Sequence, residues 1–446
     1  MKNGSLNKVA LEDLAAHDWY RFVLSFPPHL VKQYLDRFEL GEGARVLDPF
    51  CGTGTTLVEC KKLGIESVGV EAHPMTHFAS SVKVDWSPDP DELEVQAKEV
   101  AEAATEDLQA EGLTDDSYGP ESLFAMPAGS ADKVTSERSS PALRSLPEDS
   151  YKLLLTNSIS ALPLHKALVL RDRIAVRGGA STNHTDHQRL ALAKTLVLSS
   201  SNLKFGPEVG VGPAKPDAPV ISPWLTGMKR MADDLRKLQA LSSVKTPSLV
   251  HNADARLVDE VLEPESIDAV FTSPPYPNEK DYTRTTRLET VLLGFVRERD
   301  DLRALKQGLV RSNTRNVYKV DDDDRWVAEN SAIQRIAEEI ERRRVDLKKT
   351  SGFEKLYGRV TRLYFGGMMR HLAGLRPALR PGARLAYVVG DQASYLRVMI
   401  RTGQHLAEIA STLGYEVDSI DLFRTRLATA TKEQLREEVV VLRWPG

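Results

Sequence analysis

The run from Ala44 to Glu71 constrains the fold of this 446-residue chain more than any other stretch. Ala44-Arg45-Val46-Leu47 reads as a short buried strand, and Asp48-Pro49-Phe50-Cys51-Gly52-Thr53-Gly54-Thr55 as a loop. Thr56–Leu63 reads as a helix closed by Gly64, and Ser67-Val68-Gly69-Val70 as a second strand ending at Glu71. Strand, loop, helix and strand in that order make the first half of a doubly wound α/β unit, where ligands collect at the carboxyl ends of strands. The loop and Glu71 both fall at such ends. Glycines at 52 and 54 let the main chain turn sharply and approach a ligand closely. Taken alone, a Gly-x-Gly after a strand also fits a plain tight turn or another nucleotide site.

The rest of the chain alternates between this texture and long interruptions. Residues 17–40 are predicted as a helical lead-in, with proline at the helix start after Phe26 and Leu30, Val31, Tyr34, Leu35 and Phe38 at helical spacing. Between 85 and 250 come an acidic helix (91–109), a Gly/Ser/Pro-rich segment (115–147) and helices near 162–177, 185–202 and 225–241. Strands resume at 248–251 and at Ile267–Phe271, which leads into Ser273-Pro274-Pro275-Tyr276. Residues 282–350 are charged helical material. The tail returns to helix 363–375, strand 384–389 ahead of Gly390-Asp391, helix 402–413 and strands 416–422 and 438–442. The expected segmentation is a lead-in with the first half of a core (1–85), a mostly helical insertion (86–247), the second half (248–282), a charged helical insertion (283–361) and the C-terminal part of the core (362–446).

Cys51 and Cys60 have no partner pair, so neither a disulfide framework nor a cysteine zinc site is expected, which fits a reducing, cytoplasmic setting. No apolar run approaches the ~20 residues that span a bilayer, and Met1–Ser5 lacks the apolar core of a signal peptide. The net charge of −4 conceals an asymmetry: residues 280–380 hold 23 Lys and Arg against 15 Asp and Glu, leaving +8 there and −12 elsewhere. Such a zone suits local phosphate contact, and suits equally a set of solvated helices.

Together, the run Asp48–Thr55 and the tetrapeptide Ser273–Tyr276 resemble the S-adenosylmethionine-dependent amino-methyltransferases of DNA, which alkylate the exocyclic nitrogen of cytosine or adenine. The resemblance covers residues 19–85, 248–295 and 362–443. It implies a Rossmann-like class I methyltransferase fold, α/β, with a mostly parallel seven-stranded sheet, a terminal antiparallel hairpin and large, mostly helical insertions. It also implies that Asp48, Pro49, Phe50, Gly52, Gly54 and Thr55 cradle the cofactor S-adenosyl-L-methionine, that Glu71 accepts from its ribose hydroxyls and Asp254 from its adenine amino group, and that Phe26 and Pro27 close over its methionine end. Cys51 is expected to be a small packing residue.

The tetrapeptide has its own chemistry. An exocyclic base amine is a weak nucleophile because its lone pair is delocalised into the ring. Acceptors that grip its hydrogens draw the nitrogen toward tetrahedral geometry, and Ser273 Oγ with the Pro274 carbonyl can supply them. Pro274 and Pro275 stiffen the backbone so that these acceptors are preorganised. Tyr276 offers a stacking face for a base flipped out of the duplex, at a cost of a few kcal/mol. Proline pairs after a strand are also ordinary turns. Serine in first place resembles the N4-cytosine members; N6-adenine modification, an RNA (tRNA) substrate and a non-catalytic nucleic-acid-binding protein on the same core remain alternatives.

Double-stranded DNA is the expected partner of a monomer, alongside a cognate restriction endonuclease or defence proteins. Lys280, Asp281, Tyr282, Arg284, Arg287 and Asp391 are candidates for DNA or base-pocket contact, with Arg311, Arg315 and Lys319 further along. The same residues fit a solvated helix whose buried stripe is Leu288, Val291 and Leu292. Asp321–Asp324 are read as solvated loop acids, since the chemistry calls for no metal.

Overall fold

Val46 and Leu47, adjacent on the strand Arg45–Asp48 (β1), enter apolar cores on opposite faces of one sheet. A strand apolar on both sides has to be covered on both sides. The computed structural model describes residues 13–20, 26–115, 142–177, 182–205, 209–277, 281–427 and 434–446. In it β1 lies inside a seven-stranded sheet with Glu66–Val70 (β2), Ser248–His251 (β3), Ile267–Thr272 (β4), Leu379–Gly390 (β5), Glu416–Leu427 (β6) and Gln434–Arg443 (β7), in the order β3-β2-β1-β4-β5-β7-β6. The first five strands run parallel. β7 runs antiparallel to both of its neighbours. This is the Rossmann-like methyltransferase arrangement.

The strand order reverses between β1 and β4, so the crevice for a ligand opens at their carboxyl ends. Val46 pairs with Ala269 and Leu47 with Val270, which brings the loop after β1 level with the segment after β4. Helix Pro28–Arg37 covers one face through Leu30, Val31, Tyr34 and Leu35. Proline occupies its first turn, as expected from the sequence. Helices Tyr357–Leu375 and Thr402–Thr412 cover the other face.

The insertion after β2 forms a helical lobe of Pro90–Ala110, Ala161–Arg177, Thr182–Thr195 and Ile221–Gln239 around the buried Trp224. The predicted helix 185–202 gives way after Thr195 to a wider turn, Leu196–Ser200, and then to two short antiparallel strands that the sequence did not signal, Leu203–Phe205 and Val209–Val211. Most of 115–147 lies outside the described residues. Packing divides the charged stretch 283–361. Leu288, Val291, Leu292 and Leu305 join the lobe, whereas Val310, Val327, Ile333 and Ile340 join the sheet.

The acids at 321–324 are not all solvated, contrary to expectation. Asp321 pairs with the buried Arg311, and Asp323 is buried between Arg256 and Arg370. Two guanidiniums hold Asp323 in place, and its main chain lies against Gly366, where any side chain would collide with the Asp323 carbonyl. Among the described residues no helix is long and apolar enough to cross a membrane.

Candidate active site

A cavity of about 600 Å³ opens at the strand ends where the order reverses. Phe26, Pro27, Pro49, Phe50, Gly52, Thr55, Glu71, Asp254, Ser273, Pro274, Pro275, Tyr276 and Tyr282 all line it, so both sequence signatures meet in one space. Gly52 has a φ of +52°, and a Cβ built there would meet no protein atom within 4 Å. A side chain at that position would therefore enter the cavity. The Gly52 amide donates to Glu71 Oε2 at 2.9 Å, and the His73 amide donates to Glu71 Oε1 at 2.7 Å. Burial outweighs these donors and raises the Glu71 carboxyl to about 7. Phe26 meets Phe271 edge-on at 5.5 Å, which seats the lead-in against β4. Cys51 is buried with Sγ 3.8 Å from Ser80 Oγ, and burial pushes its thiol well up, as suits a packing residue.

On the other side, Ser273 donates its hydroxyl hydrogen to the Val388 carbonyl at 3.1 Å, leaving its lone pairs as acceptors. Tyr276 lies against Gly390 at the end of β5. A Cβ there would come within 2.7 Å of the ring, so the missing side chain makes room for the tyrosine.

Three polar braces hold the two sides in register, and sequence reasoning missed their roles. Asp48 does not line the cavity, contrary to expectation. It is fully buried and accepts from Thr56 Oγ1 (2.7 Å), Thr272 Oγ1 (2.6 Å) and the Phe50 amide (3.2 Å), tying β1 to β4 one residue before Ser273. Desolvation raises its carboxyl to about 6. His73 accepts from the Met75 amide at Nδ1, so its Nε2 carries the hydrogen and donates to Thr286 Oγ1 at 3.0 Å. That links the Glu71 strand end to the helical segment after the tetrapeptide. His371 donates from Nδ1 to the Ala255 carbonyl (2.6 Å), accepts from Tyr387 at Nε2 (2.8 Å) and meets Phe50 edge-on. Burial lowers both imidazoles to about 4, so they serve as neutral spacers.

Several expected contacts are corrected by burial. Gly54 sits outside the lining, its missing Cβ replaced by a close approach of Ser80. Asp254 reaches the cavity, but both its oxygens accept from Arg256, at Nε (3.0 and 3.1 Å), Nη2 (2.5 Å) and the main-chain amide (2.9 Å). Both oxygens of Asp254 are thus engaged by Arg256 at the edge of the cavity. Asp281 is buried with Thr283 and Lys306. Arg287 is buried and donates to the Thr283 and Leu153 carbonyls, which joins the lobe to the core instead of reaching phosphate. Asp391 is buried between Arg401 and Arg436; its neighbour Gln392 lines the cavity instead. Arg284 is partly exposed outside the lining, and Lys280 lies outside the described residues. Arg315 and Lys319 are exposed. The lining also includes His73, Asn313, Asn316, Gln392 and Arg424, which carry no signature at sequence level.

Comparison with known proteins agrees with this architecture. A family model described as DNA methylase, of the N6/N4 type, matches residues 7–79. The Type II methyltransferase M.BsoBI of Geobacillus stearothermophilus is 22% identical over 97% of this chain and 85% of its own length. The Type II methyltransferase M.AvaI of Nostoc sp. is 23% identical over 96% of this chain and 86% of its own. A shorter stretch of 69 residues, 15% of this chain and 13% of the other, is 38% identical to the Type II methyltransferase M.MjaII of Methanocaldococcus jannaschii. With a sheet in this order and relatives that run nearly its whole length, the chain is similar to the DNA amino-methyltransferases, the N6/N4 DNA methylases.

Proposed function

We propose that this protein transfers a methyl group from S-adenosyl-L-methionine to the exocyclic amino group of a base extruded from double-stranded DNA, cytosine N4 in preference to adenine N6, as a modification enzyme partnered by a restriction endonuclease. The observation that carries the reading is the single cavity lined by Gly52 and Glu71 on one side and Ser273–Tyr276 on the other.

The residues present suit the cofactor. Gly52 leaves a cradle that a Cβ would fill, Glu71 turns a carboxylate with spare lone pairs toward a diol, and Phe26 and Phe50 supply apolar walls. When bound, the cofactor supplies an electrophilic methyl group on sulfur. The chain's own work is to hold the amine. Ser273 Oγ, its hydrogen spent on Val388, and the Pro274 carbonyl accept from the amino hydrogens and turn the nitrogen lone pair outward. Tyr276 stacks on the base and, with Gly390 behind it, holds the ring at one depth. Asp48 keeps the two sides at constant separation. The nitrogen is acidic once methylated, and the acceptors beside it open a path for its proton to water. We assign target reading to the helical insertion 86–247 and strand positioning to the exposed cations within 283–361, with Arg315 and Lys319 the first candidates.

Purified protein should move tritiated methyl from S-adenosylmethionine to duplex DNA. Ser273→Ala and Tyr276→Ala should lose transfer and keep cofactor binding; unaltered rates in both would remove the assigned roles. Nucleoside mass spectrometry of the product separates N4-methylcytosine from N6-methyladenine, and tRNA as competing acceptor tests the RNA alternative.

A further inference from the structure

Segment 308–316 forms part of the cavity wall and is braced on both sides. Gly308 faces Ala72, next to Glu71. Arg311, buried, grips Asp321 through Nε (2.9 Å) and Nη2 (2.8 Å) and donates to the carbonyls of Lys306, Gln307 and Leu309. Tyr395, just beyond β5, donates to the Ser312 carbonyl at 3.2 Å. The segment thus crosses from the Glu71 side to the β5 side, where Tyr276 rests on Gly390. Asn313 spends its side chain locally, accepting from the Arg315 amide at 3.0 Å. Asn316 does not. It is 3% exposed, lines the cavity, and its Oδ1 is buried without a hydrogen-bond partner. A buried carbonyl left unfilled is destabilising, so an orphan oxygen on a residue of the cavity wall points to a donor that a ligand supplies when the side chain turns toward it.

We propose that Asn316 reads the hydrogen-bonding edge of the extruded base: Oδ1 accepts one amino N–H, and Nδ2 donates to the adjacent ring nitrogen. This rests on the reading of the cavity given above. A carboxamide sets acceptor and donor side by side, which matches the amino and ring-nitrogen pair that cytosine and adenine share. Thymine places a carbonyl where the amino group should be, so it would leave Oδ1 facing another acceptor. Asn316 Oδ1 shares the first amino hydrogen with one of the two acceptors, Ser273 Oγ and the Pro274 carbonyl, and the second hydrogen goes to the other. Its donor to the ring nitrogen is what sets Asn316 apart from those two and makes it a specificity-determining residue.

The test compares Asn316→Ala and the isosteric Asn316→Asp with the wild-type full chain. It measures methyl transfer to duplex DNA, S-adenosylmethionine affinity by calorimetry and the thermal melt. Asn316→Ala should lower kcat/KM about tenfold to a hundredfold with cofactor affinity and melt unchanged. Asn316→Asp keeps the acceptor and loses the donor. Its activity should recover toward acid pH, where a protonated carboxyl again donates, in contrast to the wild type. Unchanged turnover in both variants, or a loss of cofactor affinity that accounts for the loss of turnover, overturns the assignment. A flat or wild-type pH profile in Asn316→Asp overturns it as well, even where the alanine variant fails to fold. A wild-type protein that methylates no nucleic acid instead defeats the proposed function itself.

Discussion

Replacing Gly52 by alanine separates backbone strain from intrusion into the cavity. The φ of +52° lies in the left-handed region, where a Cβ costs about 1–2 kcal/mol. Gly43, at φ +87° in the turn before β1, provides the control, because its added Cβ likewise meets nothing within 4 Å. Both variants should therefore lose a similar ~1–2 kcal/mol in urea unfolding, with no clash added to either. Only the methyl at 52 projects into space that Phe50, Glu71 and Pro274 also line. If a ligand packs on that main chain, Gly52→Ala should weaken S-adenosylmethionine binding about tenfold or more, roughly 1.4 kcal/mol, while Gly43→Ala stays within about twofold. Calorimetric titration of the two purified variants reads the difference directly. Equal stability losses with unchanged affinity in Gly52→Ala would refute the cradle and the cofactor assignment built on it.

Gly390→Ala should push the Tyr276 ring from its seat without straining the backbone, since Gly390 has no positive φ. Methyl transfer should fall about tenfold or more with cofactor affinity intact, and an unchanged rate would dissociate ring position from turnover. Glu71, raised to about 7, is a full acceptor only above that pH, so cofactor affinity should fall as pH drops from 8 to 6, and Glu71→Gln should flatten the dependence. Stability of the cofactor-free chain runs the other way. Burial favours the protonated form, so the Glu71 contribution weakens as pH rises from its ordinary 4.5 to about 7, a trend Glu71→Gln should remove from pH-dependent melts. Arg256→Ala leaves Asp254 uncompensated and Asp323 with Arg370 alone, and should cost about 3–5 kcal/mol in urea unfolding. A loss below about 1 kcal/mol would show that Arg256 does not organise this wall.

Much of the scaffold was legible because it is local. The periodicity of 30–38, the glycine loop and the apolar runs at 267–271 and 384–389 each carry their signal within a few residues, and each element formed within a residue or several of expectation. Helix 185–202 shortened and the strands at 203–211 went unseen because tertiary packing there outweighs weak local preference. Charge misled more than pattern did. Arg287 and Arg311 follow the tetrapeptide as phosphate ligands would, yet both are buried against carbonyls and carboxylates, because a side chain's sign says nothing about its burial.

Sequence alone determined the two chemical signatures and the strand ends that bear them, since main-chain turns and proline stiffness are properties of adjacent residues. Tertiary structure alone decided that Asp48 braces the sheet through Thr272, 224 positions away, that Asp254 is occupied by Arg256, and that Asn316 joins the cavity wall with its carbonyl buried and unfilled. Hydrogen-bond satisfaction and burial are set by partners brought together across the fold, and no window of neighbouring residues contains them.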